Sequence, residues 1–478
     1  MEAAYVIRTQ QWLEECQVAP AIFPQVLPRL ATLMAPFVDT FCRQEPAQHA
    51  QTSVGGLLSE VARTNVASIA SRFGQDRLPL QRFIGWAAWE EEPLRQAWRG
   101  HGAPPWGHDD GVLVCDPSAV PKSGTASVGV ARQWCGRLGT VDHGPVALSV
   151  GDVSAQGHTL VDMRLSLPTA WTTEQARLQK AGGPTDRRGS RTRHQVALDM
   201  RETTGTLLPH AWMAGDDAMG RPYGVRRRLA GVGKRSRLAG PSHTLRRDRE
   251  PALPAHHGQG RRPQRPWQGV ETWATSLDAD AWRPVDVRDG ATGPLGVDVV
   301  KRRVGSRTPR RQQGHEEMVV VRRDRDRANQ QGVQVDSSLS NAEPKTPLWA
   351  CARGAKAEHR REACLQRRKS EAGLADYAGR HGTGWHHHHT LAFMATGLLV
   401  TETLRGKKMD PRDDAPAESP RHRGDLVRGI AVRNECPYGA RTPEAIATQC
   451  ACSFLSLEKA QPIGSIELIQ KTVLRQSN

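Results

Sequence analysis

Three carboxylates far apart in the chain stand where strands and a helix could deliver them to one place. Asp116 closes the apolar run 111–116 (GVLVCD), Asp216 and its neighbour Asp217 follow the run 211–214 (AWMA), and Glu362 lies in an alanine-rich, charged, proline-free stretch. Carboxylate oxygens suit hard divalent cations. Three of them converging would hold two magnesium ions, which could activate a water or a 3'-hydroxyl against a phosphodiester and steady the leaving oxygen. An aspartate at a strand end serves as readily in a turn or a helix cap, so no one of these residues decides the chemistry. On a helix, Glu362 and Lys369 are seven residues apart, about two turns, and share a face with Glu358. That face reads either as a metal ligand beside a phosphate-contacting lysine or as a solvated ion-pair surface.

Other chemically suggestive residues carry less. His386, His387, His388 and His389 are consecutive, and consecutive helix positions point in different directions, so the four cannot ligate one ion; a structural or DNA-contacting role is expected. The nine cysteines are scattered without C-x-x-C spacing, which indicates neither a zinc site nor a disulfide framework. Cys115 and Cys364 read as small buried fillers rather than nucleophiles. Gly231-Val-Gly233 follows no clear strand and lacks a third placed glycine, so a dinucleotide site is not supported.

The elements that must position the carboxylates follow from periodicity. Residues 21–98 repeat apolar side chains at helical spacing and predict a helical region, and residues 100–110 have the Gly/Pro/His composition of a linker. The period then changes: residues 111–116 predict a buried strand, residues 145–150 and 158–167 an antiparallel meander, residues 192–205 a helix, and residues 211–214 another strand. Residues 226–265 hold twelve lysines and arginines against only Asp248 and Glu250, a block that reads as a phosphate-tracking surface or as a solvated loop. Runs such as 318–321 (MVVV) predict further strands, and helices are predicted from Lys356 to 371 and over 390–402. With 478 residues, two or three packed units are expected. A net charge of +16 suits a polyanionic partner. No apolar stretch reaches eighteen residues and no leader pattern opens the chain, so a cytoplasmic protein with no membrane partner is expected.

Four segments in order resemble the DDE transposases of bacterial insertion sequences: residues 59–98, containing QDRLPLQRFIGW; residues 116–136, DPSAVPKSGTASVGVARQWCG; residues 212–221, WMAGDDAMGR; and residues 356–391, KAEHRREACLQRRKSEAGLADYAGRHGTGWHHHHTL. The resemblance implies an α/β fold: an RNase H-like mixed-sheet core at 111–225 and 345–405, preceded by an N-terminal helical domain at 1–100 that is a candidate for binding DNA ends. A basic, β-rich insertion at 226–344 would lie between the second Asp and the Glu, and an irregular tail at 406–478 would follow. It implies Asp116, Asp216 and Glu362 as catalytic metal ligands, with Asp216 preferred over Asp217 because it precedes Gly220 in a D-x-x-x-G pattern. Lys122, Lys369, Arg226, Arg227, Arg228, Arg261 and Arg262 are then expected on DNA, and Mg2+ is the expected cofactor with Mn2+ as a substitute. The implied partners are the element's terminal inverted repeats and target DNA, with a homodimer in a synaptic complex and a nucleoid location. The rival reading is a relic that binds DNA without cutting it.

Overall fold

The computed structural model describes residues 26–38, 40–41, 43–59, 64–100, 107–136, 138–154, 157–183, 191–241, 244–250, 265–290, 293–307, 310, 312–324, 335–351 and 372–408. Glu358, Glu362, Cys364, Lys369, Arg261, Arg262, the predicted helix from Lys356 and the chain beyond Lys408 lie outside these residues.

Among the described residues, five helices come first: α1 (Val26–Val38), α2 (Gln44–Leu57), α3 (Val66–Arg72), α4 (Arg77–Gly85) and α5 (Glu91–Gly100). Asn65 and Asp76 start α3 and α4 by accepting the N–H groups of Ser68 and Leu78, which supplies partners for otherwise orphaned donors. These helices do not form a core of their own. Met34, Leu57, Leu80 and Leu94 are buried in one cluster with Leu391, Phe393 and Leu398 of the long C-terminal helix. That helix spans Gly382–Lys408, so it begins well before the predicted 390–402 and takes in all four histidines. Gly397 lets it approach α5, because a Cβ there would stand 1.9 Å from the Trp98 ring.

The first strands form a mixed sheet: β1 (Val112–Ala119), β4 (Val146–Val153), β5 (His158–Ser166), β6 (Trp212–Gly215) and β7 (Arg235–Gly240), in the order β5-β4-β1-β6-β7. β5, β4 and β1 are antiparallel neighbours, whereas β1, β6 and β7 run parallel. This mixed architecture is compatible with an RNase H-like core. β1 is apolar without alternation because both of its faces are covered. Leu113 and Cys115 pack with Val196 and Met200 of the helix Arg193–Gly205, while Val112 and Val114 pack with Trp212, Val299 and Val320. Each such aliphatic side chain contributes about 2 kcal/mol on burial.

Further strands continue the same sheet beyond β7. β13 (Val335–Ser340) joins β7 and is followed outward by β12 (Gln313–Asp324), β11 (Gly293–Arg307), β8 (Leu245–Asp248) and the short β9 (Gln268–Gly269), with β10 (Arg283–Gly290) also on β11. A hairpin absent from the sequence reading, β2 (Ala131–Cys135) and β3 (Thr140–Gly144), forms a separate two-stranded sheet.

Charge locks the helices to the sheet. Asp162 of β5 is fully buried and faces Arg95 Nη1 at 3.8 Å, Arg99 Nη1 at 3.5 Å and Arg164 Nη2 at 3.2 Å. Arg95 and Arg99 are one turn apart on α5, so a single helix face supplies two cations to one carboxylate. Removing one partner from such a buried set costs about 3–5 kcal/mol, because the other charges stay desolvated.

Candidate active site

The two aspartates are brought together by strand register. In the parallel pair β1/β6, Val114 lies opposite Ala214 and Cys115 opposite Gly215, so the next residues along the two strands are Asp116 and Asp216. Parallel neighbours lie about 4.8 Å apart, which sets two backbone positions 100 residues apart in sequence side by side. Asp116 is buried between β4 and β6, opposite Ser149, whose Oγ donates to the Asp116 carbonyl at 3.3 Å.

Asp216 is fixed by a different device. It caps the short helix Asp217–Gly220, and its Oδ1 accepts the Met219 N–H at 3.1 Å. That cap requires the chain to turn sharply against β7. A Cβ on Gly220 would lie 1.8 Å from the Ala239 carbonyl oxygen, so only glycine permits the approach, and the D-x-x-x-G spacing gains a steric cause. Asp217, by contrast, pairs with Arg221 on the exposed side of the turn.

One cation near this pair was not singled out from the sequence. Arg193 opens the helix Arg193–Gly205, whose start is fixed by a reciprocal cap between Thr192 and Gln195. Burial lowers the Arg193 pKa, partly offset by the attraction of Asp216, and its Nη2 donates to Gln133 Oε1 at 2.6 Å. The T-x-x-Q pattern at 192–195 marks the helix start, but only the sheet order shows that this start faces the carboxylates.

Two of the basic residues expected on DNA, Lys122 and Arg226, make contacts within the protein. Lys122 directs its ammonium to the Gly379 carbonyl and sits over the Tyr377 ring at 4.6 Å. Desolvation, reinforced by Arg380, pushes its pKa down to about 8. Its ammonium is therefore engaged within the protein. Arg226 is also buried: its Nε donates to Glu317 at 2.8 Å and its Nη1 to the carbonyls of Gly220 and Arg221. Burial raises the Glu317 pKa, but the hydrogen bond from His315 and the Arg226 charge outweigh it and hold the carboxyl below its usual range. Arg226 thus clamps the Asp216 turn to β12. Arg227 and Arg228, on the same helix Tyr223–Gly231, are exposed.

The four histidines have core partners. His387 sets Nδ1 at 3.0 Å from the Ile84 carbonyl and Nε2 at 2.9 Å from the Trp89 carbonyl, and stacks on the Trp89 ring at 3.7 Å. His388 reaches the Gly373 carbonyl and His389 the Trp385 carbonyl, while His386 lies 3.7 Å from Glu91. Burial lowers the pKa of His387, of His388 to about 4, and of His389 well below the ordinary value.

Among the described residues, no three histidine, cysteine, aspartate or glutamate side chains gather as a metal site. The adjacent Asp116 and Asp216 supply hard oxygen donors of the kind divalent magnesium or manganese takes, so the donors present fit such an ion. No helix of the described residues is long and apolar enough to cross a membrane. A family model described as DDE superfamily endonuclease matches residues 36–294, more than half of the chain and a span that contains both aspartates. No curated protein matches the chain.

Proposed function

Because the chain belongs to the DDE superfamily endonucleases, we propose that it is a transposase that cuts DNA at the ends of an insertion sequence and joins the freed 3' end to target DNA. The observation that carries this reading is the register of two parallel strands, which sets Asp116 and Asp216 side by side one residue past their last pair, Cys115 and Gly215. Endonucleases of this superfamily generally use divalent metal ions.

Asp116, Asp216 and Glu362 would hold Mg2+, with Mn2+ as a substitute. The bound ions would supply Lewis acidity, lowering the barrier for attack by water or a 3'-hydroxyl and neutralising the leaving oxygen. The residues' own contribution is placement. Burial within β1 holds Asp116 beside β4, and the Met219 N–H donates to Asp216 Oδ1 and fixes that side chain. The choice of Asp216 over Asp217 is supported by the ion pair that engages Asp217 with Arg221.

DNA binding draws on the charge of +16. Exposed Arg227 and Arg228 lie one short helix beyond Asp216, and Arg261, Arg262 and Lys369 are assigned to the same duty. The ligand would be the element's terminal inverted repeats, first through the N-terminal helical region of residues 1–100, with the basic 226–344 region second. Two such ends held together call for a homodimer, and the setting would be the bacterial nucleoid.

The test is cleavage of a supercoiled plasmid carrying the element's own ends, with magnesium or manganese, by the wild type, Asp116→Asn and Glu362→Gln. Nicking at the ends that both variants lose supports the reading. DNA binding with no metal-dependent nicking by the wild type overturns it in favour of a relic that only binds DNA.

A further inference from the structure

The β2/β3 hairpin has no part in the carboxylate chemistry, yet it stands against that site. β1 runs on from Asp116 to Ala119, Val120 N–H donates to the Pro145 carbonyl, and Lys122 N–H donates to that of His143, so the strand that carries Asp116 leads directly into the hairpin's base. Its inward face is fixed. Gln133 spans to the Gly129 and Gly144 carbonyls through Nε2 and accepts the Arg193 guanidinium through Oε1, and Arg193 in turn faces Asp216.

The outward face is uncovered. Residues two apart on a strand share a face and directly opposed residues share it too, so Arg132, Trp134, Val141 and His143 stand together. Trp134 is 60% exposed, Val141 47% and Arg132 is exposed. An open indole beside a cation offers a flat face on which a base can stack. Neither side chain has a structural duty to explain its place: among the described residues Arg132 makes no ion pair and Trp134 stacks on no ring.

We propose that this outward face is a nucleotide-binding surface, on which Trp134 stacks against a base of the DNA strand entering the carboxylate site while Arg132 takes a neighbouring phosphate. The proposal rests on the DNA-cutting reading above. Two things favour DNA over a second copy of the chain. A stable dimer needs about 800 Å2 from each partner, far beyond what Trp134 and Val141 on two five-residue strands offer, whereas base stacking needs one indole face. The charge on that outward face is also positive, from Arg132, which matches a phosphate backbone.

The probe is a 30-base-pair duplex with a ten-nucleotide single-stranded tail containing 2-aminopurine, titrated without divalent cations against the full chain. Trp134→Ala should bind about tenfold more weakly and lose the quenching of 2-aminopurine, while Trp134→Phe keeps both within about threefold, since stacking on an aromatic side chain is what is lost. Arg132→Gln should lower the slope of log K against log salt by about one. Trp134 is exposed, so the melting temperatures of these variants should match the wild type; a match shows that the loss is not one of folding. Unchanged affinity and quenching in Trp134→Ala overturns the proposal. So does a wild-type dimer that Trp134→Ala dissociates with DNA affinity intact. Trp134-dependent binding without plasmid nicking would sink the cutting reaction and leave this surface standing; nicking with Trp134-independent binding does the reverse.

Discussion

The place where the β1/β6 pairing stops and the first turns of the helix Gly382–Lys408 both concentrate side chains of metal-binding kinds, and they differ in what surrounds those side chains. Asp116 and Asp216 come from two strands whose register sets them side by side just past their last parallel pair, and Asp216 keeps partial exposure. The histidines come from consecutive positions and diverge into the core, where backbone carbonyls take His387, His388 and His389. Density of suggestive residues in the sequence is therefore a poor guide. What separates a chemical site from a polar core is whether distant elements deliver ligands to one place.

Substitutions sharpen that contrast, and the largest effect belongs to the aspartates. Asp216→Asn keeps an oxygen to cap Met219 but removes the charge, so plasmid nicking should fall about a thousandfold, the equivalent of some 4 kcal/mol, with the melting temperature nearly unchanged. A variant that nicks at the wild-type rate would remove Asp216 from the site.

Acid should act on the histidine region next. The folded chain holds His388 neutral down to about pH 4, because burial opposes its charge, while the unfolded chain takes up that proton near pH 6.5. The unfolded state then binds more protons between these values, so stability falls as pH drops from about 6.5 to 4, by on the order of 3 kcal/mol. His389 adds to the same slope. Asp152 works against it: burial raises its pKa to about 6, so the folded chain gains from protonating it between pH 6 and 4. Urea midpoints against pH should be steeper for Asp152→Asn than for the wild type, and a flat profile in both would show that the histidines are not buried neutral.

His387→Ala comes third. It strands the Ile84 and Trp89 carbonyls and removes a stacked ring, for a loss of about 2–3 kcal/mol in chemical denaturation. Nicking per folded molecule should stay as it was; its loss in a folded protein would make the histidine run part of the site after all. The smallest effect is at Arg227 and Arg228. The double change to glutamine should leave stability within about 0.5 kcal/mol and weaken DNA binding a few-fold with a shallower salt dependence. The neighbouring Arg226→Gln breaks a buried pair and should be felt in stability instead.

These outcomes also mark what was legible in the sequence. The run into Asp116, the meander of β4 and β5, the helix after Thr192 and the strand before Asp216 could be read because each is a local pattern of apolar period and end signal. Burial of Arg226 and Lys122 could not, since Glu317 and Gly379 lie 91 and 257 residues away and no local period announces them. The hairpin was missed because 131–144 (ARQWCGRLGTVDHG) has neither a long apolar run nor a regular polar–apolar alternation. The start of the C-terminal helix was placed late because four histidines resemble an interruption, although once buried they are an ordinary stretch of helix.

The central claim is that Asp116 and Asp216 share a divalent ion, and Mn2+ binding followed by electron paramagnetic resonance tests it most directly. Bound manganese in the wild type that weakens at least about tenfold in both Asp116→Asn and Asp216→Asn is the predicted result. Manganese held equally well by the wild type and either variant would contradict it.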